Sequence, residues 1–495
     1  MTQLIARNPY SATTPVGDPS MFFGREQELV EIIEKRIKQS PPISTILIGG
    51  RKIGKTSLLH QIRDRLLEQP NCGADTVIPA YVTFQGISSL DVPTVFWEIS
   101  SSITHSLREY WGLPVNLSED LVGDPYKSFR QQMRMMLNRC DEHVGSARFV
   151  VLVDEADRLL EHSWRKDVVS NLRDLINASY LKSFVALVIT GFRELHDYAI
   201  TEEEGIGSAL GNAAYWTSLN VLTEKECRDL VTVPLSGGTK EEVVRAVYEQ
   251  SGGHPFIAQY LMQQAWKPNP ADIMLADVTK ACEEFCNQVK VFKSWEEKFT
   301  DLDRRVYQVL AQSRNPLASS DIQGLIEREA TRGDVEDSLD FLSYTGVASS
   351  RQNKKHVIAG QLYRDWFLPR VRIEKESKKR PKQLQQGQGL DVKRLLVSAL
   401  VVLLIFAATV AVLVWAAQQV PAIALAFILV IAVVFNLVSI VTVLVMNGII
   451  RQRWAMNFYE AVLSRVPMLA LSLYPQAKTD LEEDEKSENT EAEDD

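Results

Sequence analysis

The chain has 495 residues and a formal net charge of −9; that length exceeds what one core organises, so two to four modules are expected. Ten acidic residues and one lysine lie from Asp480 to Asp495, which leaves the other 479 residues balanced at 53 cationic against 53 anionic side chains. A neutral body argues against overall electrostatic attraction to nucleic acid and leaves only local patches. The five cysteines are odd in number and scattered, as reduced thiols in a cytosolic compartment would be. Cys282 and Cys286 sit at helical i,i+4 spacing, where ordinary helix packing is a better reading than a metal site. The first twenty residues lack a charged-then-apolar pattern, so no secretory signal is expected.

After a Pro/Ser/Thr-rich leader, "FFGREQELVEIIEKRIKQS" places Leu29, Ile32, Ile33 and Ile37 on one helical face. Buried strands are expected at "STILIGG", "TVIPAYVTF", "RFVVLVDEA" and "SFVALVITG", alternating with helical segments. That alternation implies an α/β fold, a parallel sheet covered on both faces. Beyond Leu222 the strand signal fades into "TEKECRDLVTVPL" and "KEEVVRAVYEQSGGHPFIAQYLMQQA", a helical subdomain. From Thr300 to Arg370 the order is helix, helix, helix and hairpin, which fits a winged helix-turn-helix. No repeat is present. Arg372 to Arg394 carries eight basic and three acidic residues and reads as a polar, positively charged linker.

"GGRKIGKTSLL" supplies G-x4-G-K-[ST] at Gly49, Gly54, Lys55 and Thr56, between an expected strand and helix. The loop amides, Gly50 and Ser57 included, would wrap phosphate oxygens; Lys55 would reach the β/γ-phosphates and Thr56 would ligate Mg2+. About a hundred residues on, Asp154 and Glu155 end an apolar strand, the edge at which open α/β sheets bind ligands. Asp154 is expected to hold the metal's water shell and Glu155 to polarise the attacking water. "VALVITGFREL" ends a third strand, where Thr190 would sense the γ-phosphate and Arg193 would contact it or a neighbouring acid; an ordinary surface arginine is an equal reading. "LSGGT" at Leu235 to Thr239 resembles a transporter signature but follows the acidic strand, so a turn is the better reading. The guanine-selecting N-K-x-D string is absent, so ATP/ADP is preferred by elimination.

Leu395 to Ala417 is an uncharged run of 23 residues, and a second follows Pro421 from Ala422 to Ile450. As helices each would span a bilayer. The basic flanks Lys393, Arg394, Arg451 and Arg453 put both ends on the cytoplasmic side, so a multi-pass membrane protein with two helices in the lipid bilayer is expected. Residues 451–479 read as an interfacial or cytoplasmic helix, and 480–495 as a disordered acidic tail.

With these motifs in hand, residues 8–370 resemble the STAND class of signal-transducing P-loop ATPases, within the AAA-like group that includes archaeal and origin-recognition type ATPases. The marks are "FFGRE", the phosphate loop, "VLVDEAD", "ITGFR" and "GGHP". The resemblance implies that Phe23, Gly24 and Arg25 frame adenine and that Pro255 closes over it, with His254 nearby. It also implies a switch, closed with ADP and assembling as a homo-oligomer when ATP and a stimulus open it. Members commonly carry a C-terminal repeat array that senses the stimulus; here a linker and apolar runs take its place, so the activating ligand or protein is unknown. The expected modules are a P-loop ATPase α/β domain (1–221), a helical lid (222–297), a winged helix (298–371), a basic linker (372–394), two transmembrane helices (395–450), a further helix (451–479) and the tail (480–495).

The sequence is thus expected to encode a membrane-anchored ATP-binding and hydrolysing signalling switch, in defence or stress response. The alternative is a membrane-tethered, initiator-like nucleic-acid-binding ATPase that draws on Lys378, Lys379, Arg380 and Lys382. A scaffold without turnover is the third. The would-be recognition helix disfavours nucleic acid: Asp334, Glu336, Asp337 and Asp340 outnumber its one arginine.

Overall fold

The computed structural model describes residues 7–117, 123–200, 211–236, 238–288, 290–313, 315–326, 330–351 and 353–379. Helix α1 (Glu26–Ile32) continues as a π-helical turn through Ile37, and its apolar stripe is buried as the spacing requires. Then follow β1 (Thr45–Gly49), α2 (Lys55–Glu68), β2 (Asn71–Cys72), β3 (Asp75–Thr83), α3 (Val92–Trp111) and α4 (Pro125–His143). The next elements are β4 (Ala147–Asp154), α5 (Asp157–Leu160), α6 (Arg165–Arg173), β5 (Val185–Gly191), α7 (Arg193–Ile200) and β6 (Tyr215–Leu219).

The sheet order is β2-β3-β4-β5-β1-β6. Every pairing is parallel except the short β2–β3 hairpin. All four expected strands are present, and their burial is complete along β1, β4 and β5. Side chains alternate between two cores, as a period of two demands. Ile46, Ile48, Phe149, Val151 and Val153 enter one; Leu47, Val150 and Leu152 enter the other, with α1 and α2. Ile48 lies opposite Gly191, and Val153 opposite Ile189. The C-terminal ends of β1, β4 and β5 therefore meet at one edge.

A helical segment follows: α8 (Glu224–Thr232), α9 (Glu241–Ser251), α10 (Pro255–Ala265), α11 (Leu275–Gln288) and α12 (Val291–Glu296). Cys282 and Cys286 lie on α11 as partly buried free thiols, and no metal-binding cluster of three or more ligands exists among the described residues. The last segment comprises α13 (Asp301–Gln312), β7 (Leu317–Ala318), α14 (Ser319–Leu325), α15 (Arg332–Thr345), β8 (Ala348–Arg351), β9 (Lys355–Ile358) and α16 (Gln361–Lys379). Its three strands pair in the order β7-β9-β8. We call residues 300–360 the hairpin module.

Two expectations differ from this picture. The linker expected to begin at Arg372 is helical through Lys379, as part of α16, because Glu, Lys and Arg are good helix formers. The expectation of a multi-pass membrane protein with cytoplasmic ends is corrected: among the described residues, no helix is long and apolar enough to cross a membrane. The physical reason is amphipathicity. Among the described residues the longest helix, α3, spans 20 residues but carries a half-buried Glu98 and exposed Arg108 and Glu109, and a lipid-facing span must be apolar all round. The runs Leu395–Ala417 and Ala422–Ile450, residues 451–479 and the acidic tail lie outside the described residues.

Candidate nucleotide site

The phosphate loop forms where β1 hands over to α2. Gly54 has φ +105°, a backbone state that L side chains rarely adopt, and Lys52 is also left-handed at φ +65°. Such alternation turns successive amides inward and makes a nest for anions. Lys55 opens α2 and folds back over the loop, donating to the Gly49 carbonyl at 2.7 Å and the Gly50 carbonyl at 3.0 Å. Burial pushes its ammonium below the ordinary value, opposed by Asp157, Asp154 and Glu155. That imbalance favours an anionic ligand beside it. Ser57 is buried, and its hydroxyl accepts the Val16 amide at 3.0 Å. The leader is thereby strapped over the start of α2, with Tyr10 donating to the Val231 carbonyl at 2.6 Å at its far end. Composition gave no hint of that role.

The acidic strand completes the edge. Asp154 Oδ2 accepts the Thr56 hydroxyl at 2.7 Å and the Tyr81 hydroxyl at 3.0 Å. Its Oδ1 accepts the Thr190 hydroxyl at 2.6 Å and the Glu155 amide at 3.1 Å. Thr56, Asp154 and Thr190, expected from three separate motifs, thus meet at one carboxylate. Tyr81 was missed, since a tyrosine in a β3 run signals only strand. Glu155 follows at φ +53°, an uncommon backbone state for a non-glycine residue. The Thr56 hydroxyl and Asp154 carboxylate are hard oxygen donors, the type that Mg2+ takes alongside phosphate oxygens and water.

Arg193 takes the second of its two expected partners. Its guanidinium donates to Asp303 of the hairpin module at 2.5 Å and to Asp197 at 3.0 Å, and lies 4.1 Å over the Phe341 ring. Burial works against its charge and is outweighed by Asp303 and Asp197, which hold its pKa above the ordinary value. Asp303 is itself 1% exposed and accepts the Ser338 hydroxyl at 2.8 Å and the Thr300 amide at 2.7 Å. Nearby, Lys298 pairs with Glu194. The hairpin module also touches the phosphate loop directly. The Gly50 amide donates to the Tyr344 carbonyl at 2.6 Å, and a Cβ on Gly50 would lie 2.8 Å from the Thr345 Cα.

Among the residues expected around adenine, Arg25 reaches the β6–α8 connection. Phe23 packs against the core. Gly24, at φ +74°, leaves no room for a Cβ against Glu226. The Arg25 amide donates to Glu226 at 3.1 Å, and its guanidinium contacts Glu28 and the Asn220 carbonyl. From the other side, Leu222 donates to the Gly253 carbonyl at 2.9 Å. His254 precedes Pro255 at the start of α10. It is fully buried, its ring centroid 4.9 Å from that of Trp295, and among the described residues neither ring nitrogen has a hydrogen-bond partner. Burial, then the Arg25 charge, push it down to about 3, so the imidazole is neutral.

The AAA domain family matches residues 39–198. No curated protein sequence matches the chain. Among solved structures, a Walker-type ATPase of Pyrococcus abyssi aligns at 16% identity over 72% of this chain and 98% of its own, with a TM-score of 0.51. At that identity the likeness shows a shared fold. The ORC2 protein of Aeropyrum pernix aligns at 12% identity over 70% of this chain and 93% of its own, with a TM-score of 0.40. The ORC1 protein of the same organism, solved in complex with DNA, aligns at 16% identity over 71% and 95%, with a TM-score of 0.37. With the phosphate loop, the acidic strand and a mostly parallel sheet in place, the chain is a P-loop ATPase that carries an AAA domain.

Proposed function

We propose that the protein is an ATP-driven conformational switch, in which a P-loop domain (1–221), a helical lid (222–297) and a winged helix (298–371) pack closed until ATP competes the winged helix away. The supporting observation is the Arg193–Asp303 ion pair at 2.5 Å. The arginine whose strand-end position suits a γ-phosphate is held by a buried carboxylate of the hairpin module. A γ-phosphate offers the same guanidinium a more highly charged partner with bidentate geometry. Its arrival would loosen the module's hold and leave Tyr344 to release Gly50. In this reading Lys55, Gly54 and the loop amides hold the phosphates, Thr56 and Asp154 hold Mg2+, and Glu155 orients the attacking water. Held there, Mg2+ would supply charge neutralisation to the phosphates. Arg25, His254 and Pro255 enclose the adenine. The opened state then assembles as a homo-oligomer.

Asp303→Asn tests the switch, because it removes the charge and leaves an acceptor for the cap of α13. The ATP concentration at half-saturation should fall, by about tenfold for each ~1.4 kcal/mol of closed packing lost. A folded variant with unchanged ATP binding and turnover would show that Asp303 restrains nothing.

A second reading, an initiator-like nucleic-acid-binding ATPase, is favoured by one observation. Arg351, Lys354 and Lys355 stand exposed together at the turn between β8 and β9, with the Lys354 charge near Glu336 of α15. Three phosphate contacts there would give DNA binding that weakens with salt. A duplex mobility shift that disappears when all three are changed to glutamine would carry this reading; no shift at low salt removes it.

A further inference from the structure

Asp157 lies three residues beyond Asp154 and has no part in the roles assigned above. Its carboxylate accepts the Phe192 amide at 3.1 Å on Oδ1 and 2.8 Å on Oδ2, and the Leu195 amide at 2.9 Å on Oδ1. These amides open α7, which begins at Arg193. The first amides of a helix have no partner inside it, and a side chain just before the helix ordinarily supplies one. Phe192 holds that place and offers no acceptor. The cap therefore comes from the first residue of α5, 35 residues earlier. It brings a negative charge to the positive end of the helix dipole. Two neighbours extend the seam: the Ala156 amide donates to the Thr190 carbonyl at 3.0 Å, and the Glu155 amide to the Thr190 hydroxyl at 3.3 Å. Residues 155–157 are thus bonded stepwise to residues 190–195.

We propose that Asp157 is a positioning residue for ATP hydrolysis, fixing the first turn of α7 so that Arg193 moves between Asp303 and the γ-phosphate by side-chain rotation alone. The proposal rests on the switch reading, which brings Arg193 to the γ-phosphate. An arginine at the first position of an uncapped turn would carry backbone fraying into its reach. Displacement of about 1 Å at a reacting centre costs up to ~100-fold in rate. Asp157 has a second route of influence, because its charge also faces Lys55. The two routes separate in a double-mutant cycle.

The experiment compares steady-state ATPase of the full chain for wild type, Asp157→Ala, Arg193→Ala and the double variant, with thermal melting to show that each is folded. Asp157→Ala should lower kcat by about tenfold or more with a smaller change in KM. In the Arg193→Ala background it should make no further difference, because its effect passes through Arg193. Losses that multiply overturn the proposal and assign the effect to Lys55 or to the fold at large. Unchanged turnover of Arg193→Ala overturns the switch reading, and this proposal with it. If Asp157→Ala fails to fold, Asp157→Asn in both backgrounds gives the same cycle, since the amide keeps one acceptor oxygen and loses the charge.

Discussion

His254 is a neutral imidazole in a site where burial and the Arg25 charge disfavour a second ring proton. Its ordinary value of 6.5 is pushed down to about 3, so the folded chain stays unprotonated there while the unfolded chain takes up a proton below pH 6.5. Stability from this residue is fully present above pH 6.5 and is lost as pH falls toward 3, at about 1.4 kcal/mol per unit. Urea unfolding at pH 7 and pH 5 should show wild type losing about 2 kcal/mol more than His254→Gln across that interval. Equal losses would mean that His254 is not the buried base that the fold implies. At this scale the sequence was informative wherever chemistry is local in the chain. Lys55, Thr56, Asp154 and Thr190 could be read from their strand ends, and the last three share one hydrogen-bonded cluster. Tyr81, Asp157 and Asp303 could not. Their partners lie on other elements, so only the strand order and the packing of the hairpin module bring the groups together.

At the scale of elements, "GGHP" has a steric meaning. A Cβ on Gly253, at φ +79°, would lie 2.1 Å from the Leu222 carbonyl oxygen, and one on Gly252, at φ +61°, would lie 2.2 Å from the carbonyl carbon of Ala359. The α9–α10 corner thus touches backbone on two sides, binding α9 and α10 to the β6–α8 connection and to the hairpin module. Gly253→Ala should cost more than about 2 kcal/mol in stability, because strain and collision add. Gly73→Ala is the control: φ is +61° there, with nothing within 4 Å, so its cost should stay near ~1 kcal/mol. Comparable melting temperatures for the two variants would refute this reading of the corner. Four strands were legible as continuous apolar runs. β6 was not, because "YWTSL" is short, mixes polar residues and leaves Tyr215 60% exposed at the sheet's edge. The hairpin was legible from its turn, whereas β7, two residues long, has no pattern to read.

At the scale of the whole molecule, the proposed switch is a competition between closed packing and nucleotide. A ligand that binds only a minor open population has its apparent affinity reduced by that fraction. The α13 and α15 contacts would then set the ATP level at which the protein responds, much as Asp303→Asn is expected to reveal. The Gly50–Tyr344 hydrogen bond adds a different property. It joins an amide to a carbonyl, so neither partner is a side chain. Substitution on the outer face of α15 can reverse its charge or build an unrelated recognition surface while the grip on the phosphate loop persists. In the proposed switch, what the module meets outside could therefore change without altering how it would report the nucleotide within.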